Sequence, residues 1–280
     1  MSNYELTASI VLYGNDYNTV KETIDSFLRS ALKVHLYLID NSCSDDLRDL
    51  ADNSSIEYIF NNSNLGFGKA HNVVLQNCLD QSKYHLVLNP DIKFEKGVLE
   101  DIYQFMEAHH EIGQLMPKVY YSNGKLQKLC HLLPTPINLI GRRFFENMQW
   151  SKRLNDKYEL KEFGYDRCLN APNLSGCFMF LRAEAVRKIG RFDERFFMYM
   201  EDVDFTRRMH SVYKTLFYPH VNIIHGFEKE SYSNSAVLKH HINSAVKYFN
   251  KWGWIFDDQR ETFNTQVLHE LNNSIRDRNF

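Results

Sequence analysis

The sequence shows no strong excess of charge of either sign. Lysine and arginine together number 33, and aspartate and glutamate number 35, which gives a formal net charge of −2. A dedicated DNA- or RNA-binding protein normally carries a basic excess. This balance therefore argues against nucleic acid as the partner. The net charge does not exclude a local basic patch.

Long hydrophobic runs are absent as well. No stretch reaches the roughly 20 apolar residues that a membrane span requires. The apolar run near the start of the sequence is far too short for a signal peptide. We expect a soluble, cytoplasmic protein, for which contact with the inner face of the plasma membrane stays open.

Cysteine is scarce and scattered. The count is odd and no two cysteines lie close together, which argues against a disulfide framework and against a zinc site. The five positions are Cys43, Cys78, Cys130, Cys168 and Cys177. We expect reduced thiols in a cytosolic protein.

Apolar and aromatic residues, by contrast, are abundant. Hydrophobic residues make up 44% and aromatic residues 14% of a chain of 280 residues. A core of substantial size can therefore form, and disorder is excluded as the main state. The length suits one large domain or two small ones.

The first 121 residues alternate between two kinds of pattern. Short apolar runs predict strands at 8–13, 34–39, 56–60 and 84–88. Helices are predicted between them, at 20–31, 45–51 and 69–79. Alternation of this kind builds a parallel sheet with helices on both faces, and the ligands of such sheets bind beyond the carboxyl ends of the strands.

The second half is less regular. Strands are predicted at 114–121, 175–181 and 215–224, and helices at 201–212 and 235–252. Residues 122–172 hold three of the six prolines and form a candidate mobile loop. The last twenty residues are polar and weakly patterned, so no element is predicted there.

Three polar tips follow the predicted strands, at 13–15, 40–42 and 89–91. A carboxylate such as Asp91, held by a proline-stiffened turn, can reach a metal or a metal-bound phosphate, because magnesium and manganese prefer oxygen ligands. The alternative is a turn residue that caps the strand. Asp40 can accept from the imide N–H of uracil or thymine, or it can form an Asx turn or a helix cap.

Gly66 and Gly68 lie between a predicted strand and a predicted helix. Glycines at this place let the backbone approach a ligand, and they also suit a plain tight turn. A dinucleotide-binding fingerprint would continue with a third small residue, where this sequence has His71. The signal for a nicotinamide cofactor is therefore weak.

The acidic cluster at 201–204 follows an aromatic run at 196–200 and opens a predicted helix. Acids at a helix start are favoured by the helix dipole, which offers capping as one explanation. Apolar surroundings make carboxylates costly unless they are paired or used, and they raise the pKa of an acid toward that of a general base. For this cluster we favour a functional role, such as that of a general base, over helix capping.

Two basic side chains complete the set of candidates. His225 ends a predicted strand, where it suits a metal ligand, a hydrogen-bond donor to a diphosphate or a structural histidine. Arg207 lies in the helix that the acids begin. It suits contact with an anionic acceptor, a solvated helix face or a pair with Asp204 at helical spacing.

Seven segments of the sequence together resemble the family 2 inverting glycosyltransferases with a GT-A fold. In the order in which that family carries them, they are SIVLYGND at 9–16, LIDNSCSDD at 38–46, NLGFGKAHN at 64–72, LNPDI at 88–92, LSGCFMFLR at 174–182, FDERFFMYMEDVDFTRR at 192–208 and IIHG at 223–226. Within the family, bacterial rhamnosyltransferases of O-antigen and polysaccharide assembly are the most similar. The ordered set is specific for the superfamily and less so for the sugar.

The resemblance implies an α/β fold of the GT-A type, in which a Rossmann-like nucleotide-binding sheet flanked by helices is joined to an acceptor-binding second half. It implies a domain over residues 1–230, with a nucleotide-sugar-binding half at 1–121 and an acceptor and catalytic half at 122–230. Residues 231–280 would form a C-terminal helical extension.

The same resemblance implies roles for individual residues. Asp202 matches the catalytic base and Glu201 its support. The donor would be held by Tyr13, Asp40, Asn41, Gly66, Gly68, Asn89 and Asp91, and the acceptor side would be lined by Ser175, Gly176, Cys177 and Arg207. Asp91 and His225 would hold a divalent metal, Mn²⁺ or Mg²⁺. Asn89 replaces the first acid of the metal-binding Asp-x-Asp motif, which leaves fewer acidic ligands.

The implied reaction moves a sugar from a nucleoside-diphosphate donor to a saccharide or a lipid-linked saccharide, in the assembly of cell-surface polysaccharide or lipopolysaccharide. L-Rhamnose from dTDP-rhamnose is the favoured sugar, and a UDP-linked hexose stays open. A nucleotidyltransferase and a non-catalytic protein that binds sugar nucleotides are the other classes. The former should carry a phosphate loop rich in glycine, lysine and arginine after the first strand, and 13–16 has none.

The predicted helix at 235–252 is the candidate for membrane contact. Its Lys239, Lys247 and Lys251 could meet an anionic surface. We favour instead a core helix under the acceptor site, because the aromatic residues form a stripe at helical spacing.

Overall fold

The computed structural model describes residues 3–145, 148–226 and 235–276. Its strands are β1 (Tyr4–Leu12), β2 (Val34–Asp40), β3 (Ile56–Phe60), β4 (Ser82–Leu88), β5 (Ile92–Lys93), β6 (Ile112–Tyr121), β7 (Leu126–Gln127), β8 (Cys130–His131), β9 (Leu169–Asn170), β10 (Asn173–Leu174), β11 (Phe178–Arg182) and β12 (Lys214–His225). Its α-helices are α1 (Tyr17–Leu28), α2 (Phe67–Cys78), α3 (Val98–Ala108), α4 (Pro136–Phe144), α5 (Gln149–Tyr158), α6 (Ala183–Ile189), α7 (Glu201–His210), α8 (Ser235–Trp252) and α9 (Asp258–Arg276).

Ten strands form one mixed sheet, whose main path runs β3-β2-β1-β4-β11-β6-β12-β5. Strands β3, β2, β1 and β4 are parallel, and β12 is parallel to β6. Strand β11 runs antiparallel between β4 and β6. The carboxyl ends of β1, β2, β4, β6 and β12 therefore share one edge of the sheet with the amino end of β11. The expected α/β fold is confirmed.

Helices cover both faces of the sheet. Leu6, Ala8 and Ile10 of β1 are fully buried in a core with α1 and α3. On the opposite face, a second core joins α2, α6 and α7 to the strands. There the buried hydroxyl of Ser9 hydrogen-bonds to the ring of His85 at 2.8 Å. The first strand thus carries a polar group inside the molecule, which the apolar run at 8–13 does not predict.

The second half is more regular than its composition predicts. Residues 122–172 are not a long mobile loop, since they contain α4, α5 and the short strands β7, β8 and β9. The polar last twenty residues are also mostly helical, in α9, which buries Val267 and Leu271 in a core with Phe163. Three apolar residues, Val267, Leu268 and Leu271, in the otherwise polar stretch 264–274 give too sparse a pattern to predict a helix.

Other predicted boundaries shift by a few residues. The helix expected at 45–51 is reduced to a 3₁₀ turn at Arg48–Ala51. The strand expected at 175–181 begins only at Phe178, so residues 175–177 form a turn in front of β11. The expected division between residues 230 and 231 lies outside the described residues.

Helix α8 has the predicted bounds and packs as a core helix. Tyr248 and Phe249 are buried in a core with Met200 and Val203. This packing supports the favoured alternative for the helix. None of the helices in the described ranges combines the length and the apolar character that spanning a bilayer takes.

Candidate functional site

Backbone hydrogen bonds join three strand ends at the shared edge of the sheet. Asn89 follows β4, and its N–H donates to the carbonyl of Cys177, in front of β11, at 2.9 Å. The carbonyl of Asp91 accepts from the N–H of Gly226, just after β12, also at 2.9 Å. The ends of β4 and β12 and the start of β11 therefore lie side by side, each with a predicted site residue.

His225 has a defined tautomer in this arrangement. The amide nitrogen of Gln127 donates to the carbonyl of His225 at 3.1 Å, which turns Oε1 of Gln127 toward the ring. Because an amide oxygen only accepts, Nδ1 of the neutral ring carries the proton and donates to Oε1 at 3.0 Å. Nε2 then accepts from Nδ2 of Asn89 at 3.2 Å and lies 3.4 Å from Oδ1 of Asp91.

The pair formed by Asp91 and His225 fits a divalent cation. A carboxylate oxygen and an imidazole lone pair face each other, and a cation satisfies both acceptors. Gln127 makes the outer hydrogen bond that commonly orients a metal-bound histidine. Within the described ranges, no group of three or more histidine, cysteine, aspartate or glutamate side chains is suited to a metal. A cation here would take its remaining ligands from water or phosphate.

Asp202 lies at the start of α7, against the turn in front of β11. Its Oδ2 accepts from the N–H of Gly176 at 3.0 Å, and its Oδ1 accepts from the N–H of Val203 at 2.9 Å. A Cβ atom at Gly176 would lie 3.0 Å from the Cβ of Asp202, so a side chain there would crowd the acid. Burial raises the pKa of the Cys177 thiol to about 12, with smaller contributions from the charges of Asp91 and Asp202. Both acids therefore lie near one thiol.

Glu201 and Asp202 form a closely spaced pair of acids. Glu201 is 5% exposed, and its Oε2 has no hydrogen-bond partner among the described residues. Burial first, and then the charge of Asp202, raise the pKa of Glu201 to about 8. Burial also raises the pKa of Asp202, against the backbone N–H groups that hydrogen-bond to it and lower it. Burial thus favours the protonated form of both acids, and the charge of Asp202 adds to this effect at Glu201.

The raised pKa of Glu201 predicts how stability depends on pH. Between its ordinary value of 4.5 and about 8, the unfolded chain releases this proton while the folded chain keeps it. The stabilising contribution is therefore complete below pH 4.5 and is lost as the pH rises to about 8. We expect the native protein to lose more unfolding free energy over that range than Glu201→Gln does, by on the order of a few kcal/mol. Urea titrations at several pH values measure this difference. The exposed-site control Glu57→Gln should follow the native protein, and a Glu201→Gln profile identical to the native one would show that Glu201 titrates normally.

The backbone in front of this pair is held in an unusual conformation. Tyr199 and Met200 both have a φ of 67°, in the left-handed region that residues other than glycine rarely adopt. Such strain persists only where surrounding contacts hold it, and it concentrates at functional sites. Met200 is buried in the core with α8, which supplies such contacts.

Asp40 and Asn41, at the end of β2, already have hydrogen-bond partners. The two oxygens of Asp40 accept from the hydroxyl of Tyr58 at 2.5 Å and from the N–H of Ser42 at 2.8 Å. The second bond forms the Asx turn that was the alternative for this residue. Asn41 donates to the carbonyl of Gly66 at 3.2 Å and so joins β2 to the turn before α2. A role of either residue in donor binding stays a prediction.

Gly66 and Gly68 are explained by close packing. A Cβ atom at Gly66 would lie 2.1 Å from the carbonyl oxygen of Phe197, and the φ of Gly66 is 82°, in the left-handed region. A Cβ atom at Gly68 would lie 2.9 Å from the Cβ of Phe192. Both glycines are buried. Packing of α2 against the segment that leads into α7 accounts for them without a nucleotide.

Tyr13 and Ser175 keep exposed surface near the shared edge. Tyr13 follows β1 and is 60% exposed, so its ring can stack on a planar group. The adjacent Gly14 donates its N–H to the hydroxyl of Ser42 at 3.0 Å, which joins the tips of β1 and β2. Ser175 is partly exposed, and its hydroxyl accepts from the N–H of Cys177 at 3.4 Å.

Arg207 does not face the site. Its side chain is 1% exposed and pairs at 2.5 Å with the carboxylate of Asp257, which is 3% exposed. The guanidinium also donates to Gln259 and Tyr248 and lies 4.0 Å from the ring centre of Trp252. The expectation that Arg207 contacts an acceptor is therefore wrong, since the side chain instead fixes α7 to α8 and to the start of α9.

Sequence reasoning missed two residues that orient the site. Gln127 sets the tautomer of His225, and Tyr58 holds the carboxylate of Asp40. Both lie outside the seven motif segments. They reach the site through strand pairing, of β7 with β6 and of β3 with β2. A prediction of strand register would have been needed to find them.

Comparison with known proteins shows the family to which this chain is similar. The family model described as Glycosyl transferase family 2 matches residues 9–190. The low-salt glycan biosynthesis hexosyltransferase Agl10 of Haloferax volcanii is 25% identical over 196 residues, which cover 69% of this chain and 59% of that protein. An N-acetylglucosaminyl-diphospho-decaprenol L-rhamnosyltransferase of Mycobacterium tuberculosis is 23% identical over 211 residues, which cover 69% of this chain and 66% of that protein. The chain thus spans only about six tenths of the length of these relatives.

Solved structures share the fold. GalNAc-T7, solved with UDP, GalNAc and Mn²⁺, has a TM-score of 0.64 over 90% of this chain and 50% of its own, at 14% identity. The mannosyltransferase PcManGT of Pyrobaculum calidifontis, solved with GDP-Man and Mn²⁺, has a TM-score of 0.58 over 89% of this chain and 64% of its own, at 15% identity. These similarities confirm the GT-A fold that the sequence motifs imply.

Proposed function

This chain belongs to glycosyl transferase family 2, and we propose that it transfers a sugar from a nucleoside diphosphate to a hydroxyl group, with inversion at the anomeric carbon. The observation that carries the proposal is the position of Asp202, whose carboxylate accepts from Gly176 in the turn before β11. The same turn contacts Asn89, two residues before Asp91. In this proposal the base and the site for the diphosphate would lie on two sides of one short turn.

On the donor side, Asp91 and His225 would hold a divalent cation, Mn²⁺ or Mg²⁺, together with the diphosphate. Such a cation neutralises the charge that develops on the leaving diphosphate. Mn²⁺ accompanies a nucleotide or a nucleotide sugar in the solved structures of GalNAc-T7 and PcManGT. Residues at the ends of β1 and β2 would bind the nucleoside: Tyr13, Asp40 and Asn41.

On the acceptor side, Asp202 would take the proton of the attacking hydroxyl. The hydroxyl oxygen forms a bond to the anomeric carbon while the bond from that carbon to the diphosphate breaks, and the leaving oxygen keeps the electron pair. Proton removal by a positioned base typically contributes about 10²–10⁴-fold to the rate. The raised pKa of Glu201 disfavours a second negative charge beside Asp202. Ser175, Gly176 and Cys177 would line this side.

For the sugar, we propose L-rhamnose from dTDP-rhamnose. The similarity to the M. tuberculosis L-rhamnosyltransferase supports this choice. The similarity to the H. volcanii hexosyltransferase supports a hexose as the alternative, which a UDP-linked donor would supply. The acceptor would be a saccharide or a lipid-linked saccharide of cell-surface polysaccharide or lipopolysaccharide.

From the same similarities, we propose that different segments of the chain have different functions. Residues 1–121 would bind the nucleotide sugar, residues 122–230 would bind the acceptor and supply the base, and residues 231–280 would form a helical extension. In this proposal the protein works in the cytoplasm, at the inner face of the plasma membrane.

A panel of nucleotide sugars tests the proposed function. A ligand that binds only the folded protein raises its Tm, so the true donor should raise the Tm above that of the unliganded protein. Release of nucleoside diphosphate from that donor would then separate an active transferase from a binding protein. Release of pyrophosphate from a nucleoside triphosphate would indicate nucleotidyl transfer instead. If no nucleotide sugar raises the Tm and none is cleaved, the proposed function fails.

Asp91→Ala is expected to weaken donor binding and its dependence on Mn²⁺ together. The native protein should bind the donor about tenfold or more tightly with Mn²⁺ than without it, because the cation offsets the repulsion between Asp91 and the diphosphate. In calorimetric titrations the variant should lose that difference. Asp25→Ala, which removes an exposed partner of Lys21 on α1, is the control. A variant that keeps the Mn²⁺ effect would exclude Asp91 as a metal ligand.

A further inference from the structure

An apolar surface lies on the chain outside the proposed active site. Large hydrophobic side chains that are 36% to 60% exposed lie on α4, on α5 and beside their junction: Ile137, Ile140, Phe145, Met148, Trp150 and Leu154. Three more, 44% to 89% exposed, follow one another after α8: Trp254, Ile255 and Phe256. We call these nine residues the apolar face.

The two parts of the apolar face border one groove. Leu154 on α5 lines it together with Ile255 and Phe256, and its volume is about 410 Å³. Arg260 holds the second part in place, because its guanidinium donates to the carbonyls of Ile255 at 3.0 Å and of Pro134 at 3.5 Å. The two parts of the apolar face therefore meet at this groove, through Leu154 on one side and Ile255 and Phe256 on the other.

Exposure of this surface to water is unfavourable. Single exposed hydrophobic residues are ordinary, but several of them around one groove are typical of an interaction site. The segment after α8 is anchored at its base, since Nε1 of Trp254 donates to Asn250 at 2.8 Å and its ring packs against Phe249. Ile255 and Phe256 are nevertheless the most exposed members, at 79% and 89%.

The charged side chains that α5 exposes beside the apolar face favour an anionic partner, whereas the acids Asp258 and Glu261 line the groove on the side of α9. Helix α5 exposes Lys152, Arg153 and Lys157. Its one carboxylate, that of Asp156, is paired with Lys161. Lysine and arginine beside tryptophan and aliphatic side chains are typical of surfaces that enter the headgroup region of anionic membranes.

The lysines of α8 are less suited to this contact. Lys247 donates to the carbonyl of Arg195 at 2.6 Å. Lys251 pairs with Asp193 at 2.8 Å and with Asp204 at 2.6 Å. Two of the three lysines expected to meet a membrane are thus used within the protein, and the apolar face is the better candidate.

Helix α4, which carries part of the apolar face, shares a core with the segment that leads into α7. Leu139, on α4 between the exposed Ile137 and Ile140, packs in the same core as Met200. Met200 directly precedes Glu201. Helix α4 therefore has one side in the core that contains Met200 and another side in solvent.

We propose that the apolar face docks this protein on an anionic lipid bilayer, with Ile255 and Phe256 among the headgroups and with Lys152 and Arg153 against them. Docking itself needs no sugar nucleotide. The further step, that docking brings a lipid-linked acceptor to Asp202, rests on the proposed function. A partner protein or a second copy of this chain would be a different occupant, which the test distinguishes.

Sedimentation with lipid vesicles tests the docking. The full-length protein should bind vesicles of phosphatidylcholine with phosphatidylglycerol, and bind less to phosphatidylcholine alone. Ile255→Ser combined with Phe256→Ser should reduce binding by about tenfold or more, because both side chains lose their apolar contact with lipid. Lys152→Glu combined with Arg153→Glu should weaken binding to the anionic vesicles only. Ile242→Ser is the control, since Ile242 is 46% exposed on α8 outside the apolar face.

The Ile255→Ser, Phe256→Ser double variant should keep the native Tm and the native rate of transfer to a water-soluble acceptor. Vesicle binding by a native protein that transfers no sugar would support docking and contradict the proposed function. Absence of vesicle binding by the native protein, or equal binding by the double variant, would overturn docking. A native dimer that the double variant dissociates, without any lipid binding, would assign the apolar face to self-association.

Discussion

Asp202→Asn is expected to lower kcat by a factor of about 10² to 10⁴ and to leave donor binding unchanged. The amide keeps the size of the side chain and an oxygen that can accept the N–H of Gly176, which now donates to Asp202 at 3.0 Å. The amide cannot take the proton of an attacking hydroxyl. The measurements are kcat at saturating donor and acceptor and the donor affinity by calorimetry.

The control for Asp202→Asn is Asp258→Asn. It makes the same chemical change at the start of another helix, α9, and should keep the native kcat with a water-soluble acceptor. Near-native transfer by Asp202→Asn would exclude Asp202 as the base. A loss of donor affinity as large as the loss of kcat would place Asp202 on the donor side instead.

Asp257→Ala is expected to lower the free energy of unfolding by about 3–5 kcal/mol, because it leaves the guanidinium of Arg207 buried without its charge partner. The two side chains are 3% and 1% exposed and 2.5 Å apart. Burial would raise the pKa of Asp257, but the hydrogen bond from Arg207 holds it below its ordinary value. Urea unfolding at neutral pH measures the effect.

An exposed pair of the same kind provides the control. Arg48 and Asp45 are 2.7 Å apart, but their side chains are 56% and 49% exposed. Asp45→Ala should therefore cost less than about 1 kcal/mol. If Asp257→Ala costs no more than Asp45→Ala, the buried pair does not hold α7 in place.

The residues at the sheet edge could be predicted because their positions follow from chain direction. Asp40, Asp91 and His225 each end or follow a strand of the parallel set, and such strands end at the same edge. Turn residues and periodicity are local signals that need no tertiary structure. The position of Cys177 at the same edge could not be predicted in this way. Strand β11 is antiparallel to β4, so its start, and not its end, lies at that edge.

Arg207 shows where a local signal fails. Sequence spacing offers Asp204 as its partner, but Asp204 pairs with Arg208 at 2.9 Å. The actual partner of Arg207, Asp257, is 50 positions away along the chain. Such a contact depends on how α8 packs against α7, which no short pattern encodes.

Gly66 shows a second limit of the local sequence. A glycine between a strand and a helix suits both a ligand and a tight turn, and the residues around it do not decide between them. In the structure the carbonyl oxygen of Phe197, from the segment before α7, leaves no room for a side chain at Gly66. Close approach of distant backbone is a property of the folded chain and not of the local sequence.

The anomeric configuration of the product tests the central claim most directly. A single displacement, with Asp202 as the base and the diphosphate held at Asp91 and His225, must invert the anomeric carbon. NMR spectra of the saccharide formed by the native protein, from a donor of known configuration, should therefore show the opposite configuration. Retention of the donor's configuration would contradict the account, because it requires two displacements or attack from the side of the leaving group.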